Sequence, residues 1–148
     1  MRSVDVIVLD AVYPDGVEYG YAHHDDAGMD LRADGEYIIG SGERKLVGTG
    51  LKIALPEGYA AFVMPRSGLA VKHGITVLNS PGVIDAGYRG EIKVPLLNTD
   101  KHHAFKVEKG DRVAQLVIMP VTNAVLHKVE SLNETDRGEG GFGSTGVE

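Results

Sequence analysis

One short stretch of this sequence gathers an unusual set of polar side chains around a tight turn. Between Leu78 and Asn98 stand Asn79, Asp85, Tyr88 and Arg89, with Lys93 on the way out. Asp85 follows the apolar pair Val83 and Ile84. Ala86 and Gly87 turn the chain, and Tyr88 begins a return through Ile92, Val94 and Leu96. Two apolar runs joined by a short glycine-containing turn predict a β-hairpin. A hairpin that only reversed the chain would not need an amide, a carboxylate, a phenol and a guanidinium.

A second candidate is Arg137-Gly-Glu-Gly-Gly-Phe-Gly-Ser-Thr-Gly146. Its glycines let backbone N–H groups approach phosphate oxygens, and Arg137 supplies charge. No Lys precedes Ser144, so it is not a Walker A loop. A flexible linker has the same composition. The lone Phe142 points towards a base-stacking lid, because a linker gains nothing from an aromatic.

At Pro65-Arg66-Ser67-Gly68 a strand gives way to a short helix, with Ser67 placed to cap its start and Gly74 to end it. Free N–H groups at a helix start favour an anion, and Arg66 and Ser67 would add a charge and a hydroxyl. The same residues also suit a plain capped helix. Further on, Asp111 and Arg112 are expected to pair with each other, and Gln115 is the odd polar group before an apolar run. Asp25, Asp26 and Asp30 concentrate carboxylates beside His23 and His24 without regular metal-ligand spacing. These histidines read as part of a solvated acidic loop, and His102 and His103 read the same way. Oxygen ligation by Asp30 would suit Mg2+, which keeps several waters and shares a substrate's phosphates.

These groups hang on a succession of short β-like runs. Val4, Val6 and Val8 alternate with Asp5, Ile7 and Leu9, and a polar, turn-rich stretch follows over 13–25. Strands are predicted over 29–32, 36–39, 45–47, 51–55, 59–64, 75–78, 104–107, 112–119 and 124–129, with one helix over 67–74. Many short strands with Gly and Pro turns argue an all-β sandwich or barrel. Residues 1–130 form the expected β domain. Residues 131–148 have little to bury and read as a flexible arm; at about 3.3 Å per residue it reaches on the order of 60 Å.

With 148 residues the chain is one domain's worth. Its net charge of −6 argues against a general affinity for nucleic-acid phosphates. It contains no Cys, so thiolate metal sites and thiol nucleophiles are excluded. No apolar run is long enough for a membrane span, and acids inside the first apolar run argue against a signal peptide. A cytoplasmic protein is the expectation. The 20 glycines, about twice the usual share, fall in clusters that suit tight turns and close backbone approach to a ligand.

Taken in order, five segments resemble the five motifs of the trimeric dUTP pyrophosphatases (dUTPases). They are Ala27-Gly-Met-Asp-Leu31, Pro65-Arg-Ser-Gly-Leu-Ala70, Gly82-Val-Ile-Asp-Ala-Gly-Tyr-Arg-Gly-Glu91, Gly110-Asp-Arg-Val-Ala-Gln115 and the Arg137–Gly146 segment. The resemblance implies a jelly-roll-like β fold, a homotrimer and three sites at subunit junctions. Each site would take phosphate-binding motifs from one subunit, the uracil hairpin from a second and the C-terminal arm from a third.

Residue by residue, it implies that Asp85 is the catalytic carboxylate that deprotonates a water for attack on the α-phosphorus. Asp30 would hold Mg2+ through water. Arg66, Ser67, Gly68 and Gln115 would contact the phosphates. Arg137, Ser144 and Thr145 would close over the γ-phosphate, Phe142 would stack on uracil, and Gly143 between them would also bind substrate. Main-chain groups from Ile84 to Lys93, with Asn79, would select uracil over cytosine, which would leave buried groups unpaired. Thymine's methyl should clash in the turn, and Tyr88 beneath the deoxyribose would exclude a 2′-hydroxyl. The implied products are dUMP and pyrophosphate, which limits uracil incorporation into DNA and supplies dUMP for thymidylate synthesis.

Two other functions belong to similar folds. A sister group deaminates dCTP, but its catalytic Glu falls where this chain has Pro95, which cannot move a proton. Some phage members resemble nucleotide-responsive switches that dock regulators, and here only the 13–25 and 101–109 surfaces would serve that role.

Overall fold

The computed structural model describes residues 2–9 and 19–147. Among them the elements run β1 (Ile7–Leu9), β2 (Gly28–Arg32), β3 (Tyr37–Ile39), β4 (Arg44–Gly48), β5 (Lys52–Ala54) and β6 (Tyr59–Met64). Helix α1 (Ser67–His73) precedes β7 (Ile75–Val77), β8 (Gly82–Ile84), β9 (Lys93–Asn98), β10 (Phe105–Val107) and β11 (Arg112–Pro120). A four-stranded sheet is ordered β2-β11-β6-β8 and a three-stranded sheet β4-β9-β7. Two ladders, β1-β5 and β3-β10, complete an all-antiparallel arrangement.

Alternation along the strands builds the core between them. Strand β9 buries Val94, Leu96 and Asn98, and β11 buries Val113, Ala114 and Leu116. One cluster joins Leu31, Val63 and Leu116 of the larger sheet to Val47, Ile75, Val77 and Leu96 of the smaller. Each such side chain contributes roughly 1.5–3 kcal/mol when fully buried. Two buried polar residues are satisfied by hydrogen bonds. Thr49 Oγ1 donates to the Ile92 carbonyl at 2.6 Å and accepts from the Leu51 amide at 3.1 Å. Asn98 Nδ2 donates to the carbonyls of Ile39 and His103, at 3.0 and 2.9 Å, while its Oδ1 accepts from the Asp100 amide.

The structure corrects the sequence reading in four places. The expected hairpin over 78–98 is not one, because β8 pairs with β6 while β9 pairs with β4 and β7. The two arms lie in different sheets, and the segment between them bridges the sheets. Ser67 is not the cap of α1: Arg66 holds the extended N-cap position with no side-chain cap bond, and Ser67 is the first helical residue. Gly74 does end the helix, left-handed at φ 65° with its N–H on Ala70 and Leu69 carbonyls. No strand forms over 124–129, where Val125, Leu126 and Val129 are exposed. The first strand is shorter than its alternating pattern, spanning only Ile7–Leu9. Part of the expected 13–25 loop, residues 13–18, lies outside the described residues.

Candidate active site

Three neighbouring strands and the start of α1 build the first cleft. Gln115 on β11 stands directly opposite Asp30 on β2 and Met64 at the end of β6. Opposite residues share a face of the sheet, so the carboxylate and the amide reach the same side. A bulge between Arg112 and Ala114 shifts the register just before Gln115, a distortion that re-aims side chains. Beyond Met64 the chain leaves the sheet at Pro65 and places Arg66, Ser67 and Gly68 at the head of the helix. Together these elements line an open cleft of about 370 Å³, with Asp26, Asp30, Arg66, Ser67, Gly68, Arg112 and Gln115 around it.

Its electrostatics centre on one carboxylate between two guanidiniums. Asp30 Oδ1 is 3.1 Å from Arg66 Nε, and Oδ2 is 3.7 Å from Arg112 Nη1. Partly exposed pairs of this kind contribute at most about 1 kcal/mol, so both cations can turn towards an incoming anion. Gln115 Nε2 donates to the Pro65 carbonyl at 2.9 Å. A Cβ at Gly28 would overlap Gln115 Oε1, so a glycine there leaves room for the amide. The expected Asp111–Arg112 pair is absent. Asp111 instead accepts from the Glu108 amide at 2.9 Å, and the guanidinium of Arg112 swings across the sheet to Asp30.

The bridging segment forms a second cleft of about 620 Å³, lined by Val83, Ile84, Asp85, Tyr88, Glu91 and Lys93 with Leu46 and Lys52. Asp85 is exposed at the end of β8, and its carbonyl accepts from the Tyr88 amide at 3.0 Å. Strand β8 is an edge of its sheet, so one row of its main-chain groups has no strand partner among the described residues. The return leg is tied to the 49–51 turn: Glu91 Oε1 accepts from the Gly50 amide at 2.8 Å and the Ile92 amide donates to the Leu51 carbonyl at 2.8 Å. Lys93 Nζ lies 3.6 Å from Glu91 Oε2. Behind the loop, burial and then the hydrogen bond to Asp34 push the Tyr37 phenol above its ordinary pKa. Asn79 packs over Gly82, its Nδ2 3.3 Å from where a Cβ there would stand.

The arm adds a third group, none of whose residues lines either cleft. It is a run of turns, with Gly140 N on Arg137 O, Ser144 N on Gly141 O and Gly146 N on Gly143 O. Arg137 Nε donates to the Gly140 carbonyl at 2.9 Å. Phe142 takes a left-handed φ of 48° and is fully exposed. Sparsely populated backbone conformations of this kind cluster at active sites, ligand clamps and switch regions.

A family model described as dUTPase matches residues 19–146. The chain belongs to the dUTPase family. The deoxyuridine 5'-triphosphate nucleotidohydrolase of Leifsonia xyli subsp. xyli is 58% identical over 126 residues, covering 85% of this chain and 83% of its own. That of Cutibacterium acnes is 48% identical over 143 residues, covering 97% and 93%. Among solved structures, a variant of the Staphylococcus bacteriophage 80alpha dUTPase with dUpNHpp matches with a TM-score of 0.85 at 27% identity, covering 97% of this chain and 99% of that one. The jelly-roll-like β fold expected of a dUTPase is therefore the observed one, and hydrolysis of dUTP to dUMP is the activity of this chain.

Within this dUTPase the structure gathers Asp30, Arg66, Ser67, Gly68 and Gln115 in one cleft and Asp85, Tyr88 and Lys93 in another. Arg137, Phe142, Gly143, Ser144 and Thr145 stand apart on the arm. Sequence reasoning missed Arg112 and Gly28 as parts of the first cleft. Gly28 fell just outside the strand predicted over 29–32, and only its place as the first residue of β2, opposite Val117 and against the Gln115 amide, shows why a glycine stands there.

Proposed function

We propose that this dUTPase works as a homotrimer whose sites each draw on three copies of the chain. The observation that carries this reading is the separation of the two clefts, which have no lining residue in common. A triphosphate held by Arg66, Arg112 and Gln115 lies away from Asp85 of the same chain, so the carboxylate comes from a neighbour. The exposed apolar side chains of Val125, Leu126, Val129 and Leu132 support an assembled state, since one chain leaves them in water.

In the proposed mechanism Asp85 takes a proton from a water as its oxygen bonds to the α-phosphorus, and the α–β bridging bond breaks to release pyrophosphate. Arg66, Ser67, Gly68 and Gln115, joined by Arg112, hold phosphate oxygens. Asn79, Tyr88, Lys93 and the main chain over 84–93 hold the nucleoside. Phe142 stacks on the base, while Arg137, Gly143, Ser144 and Thr145 close over the phosphates. The donor set fits Mg2+: Asp30 is a hard oxygen ligand beside an open cleft, and Mg2+ is commonly held by one or two carboxylates together with substrate phosphates. Held by Asp30 through water, Mg2+ would supply charge neutralisation to the triphosphate. The solved dUTPase of phage phi11, which has a TM-score of 0.78 at 22% identity, is described as showing a structural Mg(II) ion in that protein.

No helix among the described residues is long and apolar enough to cross a membrane; a cytoplasmic role in keeping uracil out of DNA and supplying dUMP accompanies the proposal. Pro95, half-buried in β9 opposite Leu46, offers no proton-transfer group for a deaminase. The deciding experiment measures pyrophosphate release from dUTP, dTTP, dCTP and UTP, with and without Mg2+. Rapid release from dUTP alone, and only with Mg2+, is expected. Equal rates on dTTP, an undiminished rate in EDTA, or ammonia released from dCTP would overturn the reading.

A further inference from the structure

The geometry points to Gly90 as a positioning residue, one that sets sugar selection by giving the Tyr88 ring room to lie down and lock. This inference rests on the reading of the 84–93 segment as the nucleoside site. A Cβ built on Gly90 would overlap Tyr88 Oη and stand 2.5 Å from its Cζ and 3.0 Å from its Cε2. Gly90 is not among the glycines with positive φ, so its backbone accepts an L side chain. The space taken by the Tyr88 ring, and not backbone strain, is what calls for glycine.

The ring so placed is anchored at its far end, where the Tyr88 phenol donates to the Glu91 carbonyl at 2.9 Å. That carbonyl is itself held, because the Glu91 side chain grips the Gly50 amide and the next amide, Ile92, bonds to Leu51. At the ring's near end Arg89 Nη1 donates to the carbonyls of Ala86 and Tyr88, at 2.6 and 3.0 Å, and the Tyr88 amide closes the turn on Asp85. The loop is therefore pre-shaped by its own bonds, with the ring at a fixed height beside Asp85. A rigid aromatic surface discriminates against one added hydroxyl, whereas a loose one moves aside. An alanine at position 90 would lift the far end of the ring off Glu91. Because that end belongs to a side chain, the backbone and the position of Asp85 would stay.

The test compares kcat/KM for dUTP and UTP in the full-length protein and in Gly90→Ala, Tyr88→Phe, Tyr88→Ala and the double variant Gly90→Ala/Tyr88→Ala. The dUTP-to-UTP ratio should fall at least about fivefold in Gly90→Ala, the equivalent of one hydrogen bond lost. The second substitution should add nothing once Tyr88 is alanine, since coupled residues are not additive. A wild-type ratio in a folded Gly90→Ala protein, or a further loss in the double variant, overturns the inference. If Tyr88→Ala leaves the ratio unchanged, the fault lies with the nucleoside reading itself. Should alanine at position 90 prevent folding, Tyr88→Phe decides: a lowered ratio supports the locked ring, and the wild-type ratio overturns it.

Discussion

Asp85 is where the chemistry proposed for this dUTPase can be isolated with least disturbance to its structure. Its side chain is exposed and its carbonyl, not its carboxylate, holds the turn to Tyr88. Asp85→Asn therefore removes a charge and a proton acceptor while keeping shape and turn. A loss of kcat by a factor of about 10² or more is expected, the size of a general-base contribution. Binding of a non-hydrolysable dUTP analogue, measured by calorimetry, should persist. A variant turning over near the wild-type rate would remove Asp85 from the proposed role. Asp85, Arg66 and Gln115 stand out in the sequence as polar groups beside apolar runs or a turn, but the roles proposed for them come from the resemblance to the dUTPase motifs and not from that pattern. Arg112 does not stand out. Its neighbour Asp111 offered an obvious partner, and only the bulge after it turns the guanidinium across the sheet to Asp30.

At the scale of elements, the segment from Leu78 to Asn98 shows why alternation alone misleads. Its two apolar runs have the pattern of a hairpin, but pattern specifies which face is buried and not which strand is the neighbour. Both edges of β9 are taken, by β4 and β7, and β8 finds β6. The result leaves the loop between them free of a ladder, with main-chain groups to spare for a ligand. Strand β9 carries the fold's most demanding polar residue at its end. Asn98 is wholly buried and bonds to Ile39, His103 and Asp100, joining β9 to the ends of β3 and the 99–103 turn. Asn98→Ala would take a donor from the Ile39 and His103 carbonyls and an acceptor from the Asp100 amide, at a cost of about 1–3 kcal/mol. Urea unfolding followed by circular dichroism should show this as a lower midpoint with an unchanged slope. A midpoint equal to wild type would mean that water takes over all three bonds. Nothing in the sequence singled out Asn98, because its partners lie on segments whose arrangement only the fold supplies.

For the molecule as a whole, the proposal that one chain cannot complete a site makes a quantitative prediction. Arg66 lines one cleft and Asp85 the other, so in a trimer the two come from different chains at any one site. A preparation of Arg66→Ala chains should be inactive, as should one of Asp85→Asn chains. Co-refolded in equal amounts, however, they form mixed rings in which an intact Arg66 from one parent meets an intact Asp85 from the other. With random, closed assembly roughly a quarter of the sites receive both. Activity should therefore recover to roughly that fraction of wild type, against a background near zero for either parent alone. Recovery requires exchange of chains, so mixing the two proteins after assembly should give none until they are unfolded together. If co-refolded mixtures stay as inactive as their parents while wild-type chains treated identically regain full activity, each site is built within one chain. The separation of the two clefts would then have to be closed by movement of the 84–93 loop, a motion that its ties to Gly50 and Leu51 oppose.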